Sequence, residues 1–304
     1  MSATLLQPLP EGRCPTFLAI GHITRDLLPD NAFSLGGTVT FAALTAYHLG
    51  LDAALVTCAD ESLLTQLPAL LPTLGLAARS APVTTTFENS YDANGFRTQH
   101  LRERASLLDL DDIPASWLAA PILLLGPLAQ EIPPAMVQAL PRTPGSLLAA
   151  TPQGWLRRWD ADGRVWPASW EQAETLLPLL DVLILSHDDL LPFSDNRRDM
   201  ADAMLASWSM HVPLLIATDG RDGATLFEHG KTTSFPAYPA QEVDPTGAGD
   251  VFAASFLAHF HQHGDPAAAI HFANCVASLS IERAGIAGIP TPEQIRTRQA
   301  QFSH

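Results

Sequence analysis

Asp244-Pro245-Thr246-Gly247-Ala248-Gly249-Asp250 is the stretch on which the reading of this chain turns. Its small residues form a tight turn. The run Val251 to Ala258 that follows is apolar at helical spacing, so the turn opens a helix. Backbone N–H groups at a helix N-terminus attract an anion. The turn would make such a site, and a neighbouring Asp can take the proton from an attacking hydroxyl. Together these are what phosphoryl transfer to an alcohol needs.

Outward from this turn, short apolar runs alternate with helical stretches. Phe17–Ile20, Ala53–Thr57, Ile122–Leu125, Leu147–Ala150, Val182–Leu185 and Leu214–Ala217 read as strands. Val39–Leu49 reads as a helix stopped at Gly50, and Ser62–Leu74 as a helix interrupted by proline. Strands apolar on both faces, set between helices, predict a parallel sheet covered on both sides. Val83–Tyr91 and Phe96–Arg104 break the rhythm. They are polar and flank Asp92-Ala93-Asn94-Gly95, a hairpin signal, and suit a flap over a cleft better than a core.

Composition narrows the possibilities. The 304 residues suffice for one large α/β domain or two smaller ones. A net charge of −15 makes nucleic acid and anionic membrane poor partners. No apolar run reaches spanning length, and the first residues lack a signal-peptide pattern. Three scattered cysteines form neither a disulfide framework nor a metal motif, which predicts a reducing, cytoplasmic setting. Lys231 is the only lysine, so arginine, metal and backbone N–H groups are the expected charge stabilisers. Gly230-Lys231-Thr232 lacks the upstream glycine of a P-loop, since Thr225 stands there. Of His259, His261 and His263, only the first and last would share a helix face.

The seven-residue turn resembles the D-[TP]-[TV]-G-A-G-D element of the ribokinase/PfkB family of carbohydrate kinases, and weaker likenesses extend over about residues 16 to 292. The resemblance implies a ribokinase-like three-layer α/β/α sandwich with a mainly parallel central sheet and a small β-sheet lid. It is expected as one domain over 1–304, with lid elements near 27–37 and 83–106. It also implies Asp250 as the catalytic base, with Gly247, Ala248 and Gly249 as the anion hole. ATP and Mg2+ would be the cofactors, with a monovalent cation such as K+ beside the turn. A small polyol or sugar would be the acceptor, and the lid could serve as a homodimer interface.

Further positions take their roles from the same likeness. Gly21 to Asp26 is similar to a G-x4-D element, which makes Asp26 a sugar contact. Gly36 and Gly37 match a double glycine that approaches substrate and hinges the lid. The family's asparagine four residues beyond is Phe41 here, which departs from a ribose pattern. Asn89 on the hairpin is a further expected substrate contact. Thr151-Pro152-Gln153-Gly154-Trp155-Leu156-Arg157 resembles the Q-G-x-x-R of a branch that includes plant myo-inositol kinases. Gln153 would bind polyol and Arg157 phosphate. The family's N-x-x-E reads Ser186-x-x-Asp189, with Asp188 a competing choice, and oxygen ligands there would hold magnesium through water. Thr218, Gly220 and Gly223 resemble the nucleotide-side T-x-G-x-x-G, and Thr246 and Asn274 are added nucleotide contacts.

Two rivals stay open. A nucleoside kinase of the same fold would need an aromatic pocket under the lid, with Phe41, Phe87 and Phe96 as candidates. A non-catalytic ligand-binding protein would keep the fold without the chemistry, as the altered 186–189 run suggests.

Overall fold

The apolar tetrads form the middle of a ten-stranded sheet. In this computed structural model, residues 4–9, 12–28, 32–91, 97–228 and 230–302 are described. Across the sheet the strands run β1 (Thr4–Gln7), β6 (Gly75–Ser80), β5 (Ala53–Ala59), β2 (Phe17–Ile20), β9 (Ile122–Leu125), β10 (Leu147–Ala150), β13 (Val182–Ser186), β14 (Leu214–Thr218), β15 (Ala224–Glu228) and β16 (Lys231–Phe235). All neighbours from β6 to β14 pair in parallel, and antiparallel strands close both edges.

Alternation along each strand feeds two cores. Leu18 and Ile20 of β2 face one side, with α4 (Pro134–Ala139), α5 (Ala173–Leu176) and α6 (Arg198–Trp208). Phe17 and Ala19 face the other, with α1 (Thr38–His48), α2 (Glu61–Leu64), α3 (Leu67–Leu70), α7 (Ala248–His263) and α8 (Pro266–Ser280). Helix α9 (Pro292–Phe302) packs Ile295 into a satellite cluster with Phe41 and Val251. The result is the expected three-layer ribokinase-like sandwich. The single helix predicted over 62–74 is instead two short ones. Asp60 caps α2, and Pro68 opens α3, where its missing N–H is not needed. Among the described residues, no helix is long and apolar enough to cross a membrane.

A second sheet stands off the first in the order β4 (Phe33–Gly36), β3 (Thr24–Leu27), β7 (Thr86–Tyr91) and β8 (Arg97–Glu103). It contains the expected flap, although its turn and Phe96 lie outside the described residues. The flap is broader than a hairpin, because β3 pairs in parallel with β7 and brings Asp26 into this sheet. A small hairpin, β11 (Arg157–Trp159) with β12 (Val165–Pro167), reaches up from the main body. At its tip the Gly163 carbonyl accepts from Leu101 N–H of β8 at 2.7 Å, and Arg164 bridges to His100.

His22 holds the root of the flap. Its Nδ1 and the Thr85 hydroxyl lie 2.6 Å apart, and its Nε2 is 2.9 Å from the Ser106 carbonyl. Thr85 precedes β7 and Ser106 follows β8, so one fully buried imidazole spans both feet. Thr85 also accepts from Ala105 N–H at 3.0 Å, and buried Glu131 accepts from His22 N–H at 2.9 Å. Burial pushes the His22 pKa down, which keeps the ring neutral. A neutral ring donates from Nε2 to Ser106 and accepts at Nδ1 from Thr85.

Candidate active site

The C-terminal ends of the parallel strands open toward the flap, where open α/β sheets bind ligands. Gly247 lies in the left-handed region, with φ 79° and ψ 0°, and α7 starts at Ala248. A side chain at 247 would meet the Phe41 ring, with an ideal Cβ 2.4 Å from Phe41 Cδ1. Backbone conformation and packing thus both require glycine there. Ala248 returns its N–H to the Pro245 carbonyl at 3.1 Å, so the N–H groups of Gly249 and Asp250 remain at the open end of the helix. Asp244 braces the turn, accepting from Thr246 N–H and Gly285 N–H, both at 3.0 Å.

Asp250 sits in the first turn of α7. Burial pushes its carboxyl up to about 6, because water is displaced from around the charged form. The Thr38 side chain and the positive charge of Arg157 oppose that rise, and Asp189 and Asp26 reinforce it. Four side chains distant in sequence thus act on Asp250: Asp26, Thr38, Arg157 and Asp189. Thr38 carries no assignment from the sequence. The available signal was a hydroxyl at the first helical position after a double glycine.

Gly36 leaves room for the Asp26 carboxylate. An ideal Cβ on Gly36 would stand 2.3 Å from Asp26 Oδ2. Thr24 donates to Asp26 Oδ1 at 3.3 Å, and Phe87 is the β7 partner of Asp26. Asn89 lies on the same sheet, where its carbonyl accepts from Gln99 at 3.0 Å.

Asp189 closes a small capping box, accepting from Ser186 N–H at 3.2 Å while Ser186 Oγ accepts from Asp188 N–H at 3.2 Å. Burial raises the Asp189 pKa, and Arg157, Ser186 and Gln153 counter it. Asp188 is exposed and Asp189 faces Arg157, which separates the two competing carboxylates. Among the described residues, no group of three or more His, Cys, Asp or Glu side chains converges as a metal site. The oxygen donors of Ser186 and Asp189 therefore fit magnesium only through its water shell.

Three expected contacts have a different environment. The Gln153 side chain, expected to meet a polyol, acts on Asp189 and lowers the proton affinity of that carboxyl. Phe41 is 3% exposed and packs under Gly247 within the cluster that includes Val251 and Cys275. Asn274 donates to the Phe235 and Pro236 carbonyls at 3.4 and 3.1 Å, so its NH2 group holds the end of β16 where a nucleotide contact was expected. Phe87 is also 3% exposed, packed with Leu101 and Leu128. Phe41 and Phe87, two of the three aromatic residues expected to line a base pocket, are thus both buried, and Phe96 lies outside the described residues. Thr218 ends β14, and Gly220 and Gly223 turn the chain into β15.

Residues 155–293 match the model of the pfkB family carbohydrate kinases. The ribokinase of Bacillus subtilis (strain 168) is 38% identical over 88 residues, covering 29% of this chain and 30% of that protein. Fructokinase-2 of Zea mays is 28% identical over 159 residues, 48% of each chain. The chain thus spans from under a third to about half the length of these curated relatives. A pyrophosphate-dependent kinase in the ribokinase family, complexed with a pyrophosphate analog and myo-inositol, superposes with a TM-score of 0.78 at 21% identity, over 92% of this chain and 99% of that one. Ribokinase from Thermotoga maritima superposes with a TM-score of 0.72 at 19% identity, over 93% and 99%.

Proposed function

We propose that this chain, which carries a PfkB family carbohydrate kinase domain on a ribokinase-like fold, transfers a phosphoryl group from ATP to a hydroxyl of a small polyol or sugar, with Asp250 as general base. The observation that carries the reading is the carboxyl of Asp250, pushed up to about 6 beside an open helix N-terminus. A base of that strength is ionised at neutral pH and still draws a proton from an attacking hydroxyl. The N–H groups of Gly249 and Asp250 would face the transferring phosphoryl group, where oriented donors stabilise charge without reorganising. Arg157 adds positive charge on the same side.

Asp26 would accept hydrogen bonds from the acceptor's hydroxyls. The flap would exclude water and limit hydrolysis of the donor. Magnesium held through water by Asp189 and Ser186 would neutralise charge on the donor phosphates. myo-Inositol leads the acceptors, since the Gln153-to-Arg157 run is present and a chain of similar fold binds that polyol. The buried positions of Phe41 and Phe87 count against a nucleoside.

Asn274 favours a second reading of the donor. Its NH2 group is engaged by backbone, which removes one expected nucleotide contact, and a chain of similar fold depends on pyrophosphate. Purified protein should therefore be offered MgATP and magnesium pyrophosphate in parallel. The acceptors would be myo-inositol, other polyols, hexoses, ribose and nucleosides, with Asp250→Asn alongside. Turnover with one acceptor class, lost in the variant, is the expected result. Full activity of Asp250→Asn would remove the base assignment. Binding of donor and acceptor with no transfer by the parent would favour the ligand-binding rival.

A further inference from the structure

We propose that Gln130 is a positioning residue for Arg157, holding the start of β11 through its side-chain amide and tying it to the foot of the flap through its backbone carbonyl. The consequence for turnover rests on the phosphoryl-transfer reading above; the contacts themselves do not. Gln130 lies in the loop after β9 and is exposed, yet its φ is 56°. Among the described residues, two other non-glycine positions have positive φ, Asp195 and Asn196, and both are of types that tolerate it. Glutamine lacks that tolerance, and glycine would supply the same backbone at less steric cost. The backbone alone therefore does not account for glutamine at this position.

Its contacts do. Gln130 Nε2 donates to the Arg157 carbonyl at 2.5 Å. An acceptor there requires the NH2 side of the amide to face Arg157. The Gln130 carbonyl accepts from Arg104 Nη2 at 3.0 Å, and the Ala129 carbonyl accepts from Arg104 Nε at 2.7 Å. Arg104 directly follows β8, and its guanidinium also lies over the ring of Trp159 in β11, 5.2 Å from the centroid. One residue in a costly conformation thus stands between the foot of the flap and the strand that opens with Arg157. Such a conformation persists where the surroundings over-determine it. Here buried Glu131 accepts from Leu128 N–H at 3.0 Å and Ala129 N–H at 2.7 Å, and the Pro127 carbonyl accepts from Gly154 N–H at 2.8 Å. Arg157 acts by charge on Asp189 and Asp250, and charge weakens with distance, so a displaced β11 would be felt at both carboxylates.

Two substitutions in the full chain separate the amide from the backbone. Gln130→Gly suits the left-handed conformation and lacks the donor. Gln130→Glu keeps the length and, ionised, lacks the donor. Amide hydrogen exchange in β11 and β12 is measured on both, with kcat for the best donor–acceptor pair. Exchange should quicken about 5-fold or more in both variants. Gln130→Gly should still unfold within about 3 °C of the parent. In both, kcat should fall about 10-fold, the effect of a misplaced group. In an Arg157→Gln background, Gln130→Gly should lower kcat no further, because members of one network are not additive. Parent-like exchange in the hairpin overturns the inference, and so does parent-like kcat in Gln130→Gly. A full further loss on top of Arg157→Gln also overturns it, because Gln130 would then act independently of that arginine. If Gln130→Gly does not fold, Gln130→Glu carries the same readouts. Should the parent transfer no phosphoryl group while exchange still quickens in the variants, the kinase reading fails and the hold of Gln130 on β11 stands.

Discussion

The Phe41 ring occupies the space that a side chain at Gly247 would enter, with an ideal Cβ only 2.4 Å from its Cδ1. Phe41 therefore packs against the turn that opens α7. Gly247→Ala would meet both this ring and an unfavourable left-handed backbone, itself worth about 1–2 kcal/mol. Loss of about 2–4 kcal/mol of stability is expected once overpacking is added. Thermal unfolding checks the stability, and donor titration should show weakened binding. Gly249→Ala, where a Cβ meets nothing within 4 Å, is the control and should be near neutral for stability.

Asp250→Asn should lower turnover by about 10²–10⁴-fold, the usual contribution of a positioned base. The same change should raise stability at neutral pH. The folded carboxyl titrates near 6 and an unfolded one near its model value of 3.8, so the unfolded state loses its proton first. Stability of the parent therefore falls as pH rises through that interval and is level above it. The variant escapes this loss, by an upper bound of about 3 kcal/mol from the size of the shift. Urea unfolding of both proteins between pH 4 and 8 measures it. Curves that run parallel across the whole range would mean that Asp250 titrates normally.

Arg157 holds down the proton affinity of both Asp250 and Asp189. Arg157→Gln should raise both, moving the acid limb of kcat/KM upward and lowering kcat by about 10-fold or more. Arg157→Lys should restore the limb, which depends on charge, more fully than kcat, which also depends on the guanidinium fork. Equal recovery of both would show that geometry at this position is unimportant.

Thr85 gives and receives a hydrogen bond at the root of the flap. Thr85→Val keeps the volume and leaves His22 Nδ1 and Ala105 N–H without it. A loss of about 1–3 kcal/mol is expected, with faster amide exchange across β7 and β8. Exchange unchanged in both strands would place the anchor elsewhere. Because His22 is held neutral, it contributes stability that is lost as pH falls below its ordinary value of 6.5.

The sequence and structure agree where local pattern is sufficient. The strands Phe17–Ile20, Ile122–Leu125 and Leu147–Ala150 occur with the expected bounds, because an apolar run between helices has one stable place in a covered parallel sheet. The glycine turn was legible for the same reason, since few residues tolerate its backbone. What depends on direction was not. Gln153 and Arg157 are four residues apart, yet Gln153 acts on Asp189 and Arg157 on both Asp189 and Asp250. That choice is made by β13 and α7, distant in sequence. Phe41 reads equally well as a pocket wall or as a floor until α7 is placed beside it. The strand that carries Asp26 is not legible in sequence, because it pairs with β7, some sixty positions away, and has no apolar pattern of its own.

The small hairpin β11–β12 has a bearing on assembly. A four-stranded lid would ordinarily offer two bare rims, and strands of other copies could add to each without end. Here the tip of the hairpin occupies part of the β8 rim through Gly163 and Arg164, leaving β4 as the outer strand on the opposite side. Growth by strand addition needs a donor rim and an acceptor rim on every copy. With one obstructed, pairing through the lid would close as a two-fold, like-to-like contact and could not run on into a filament.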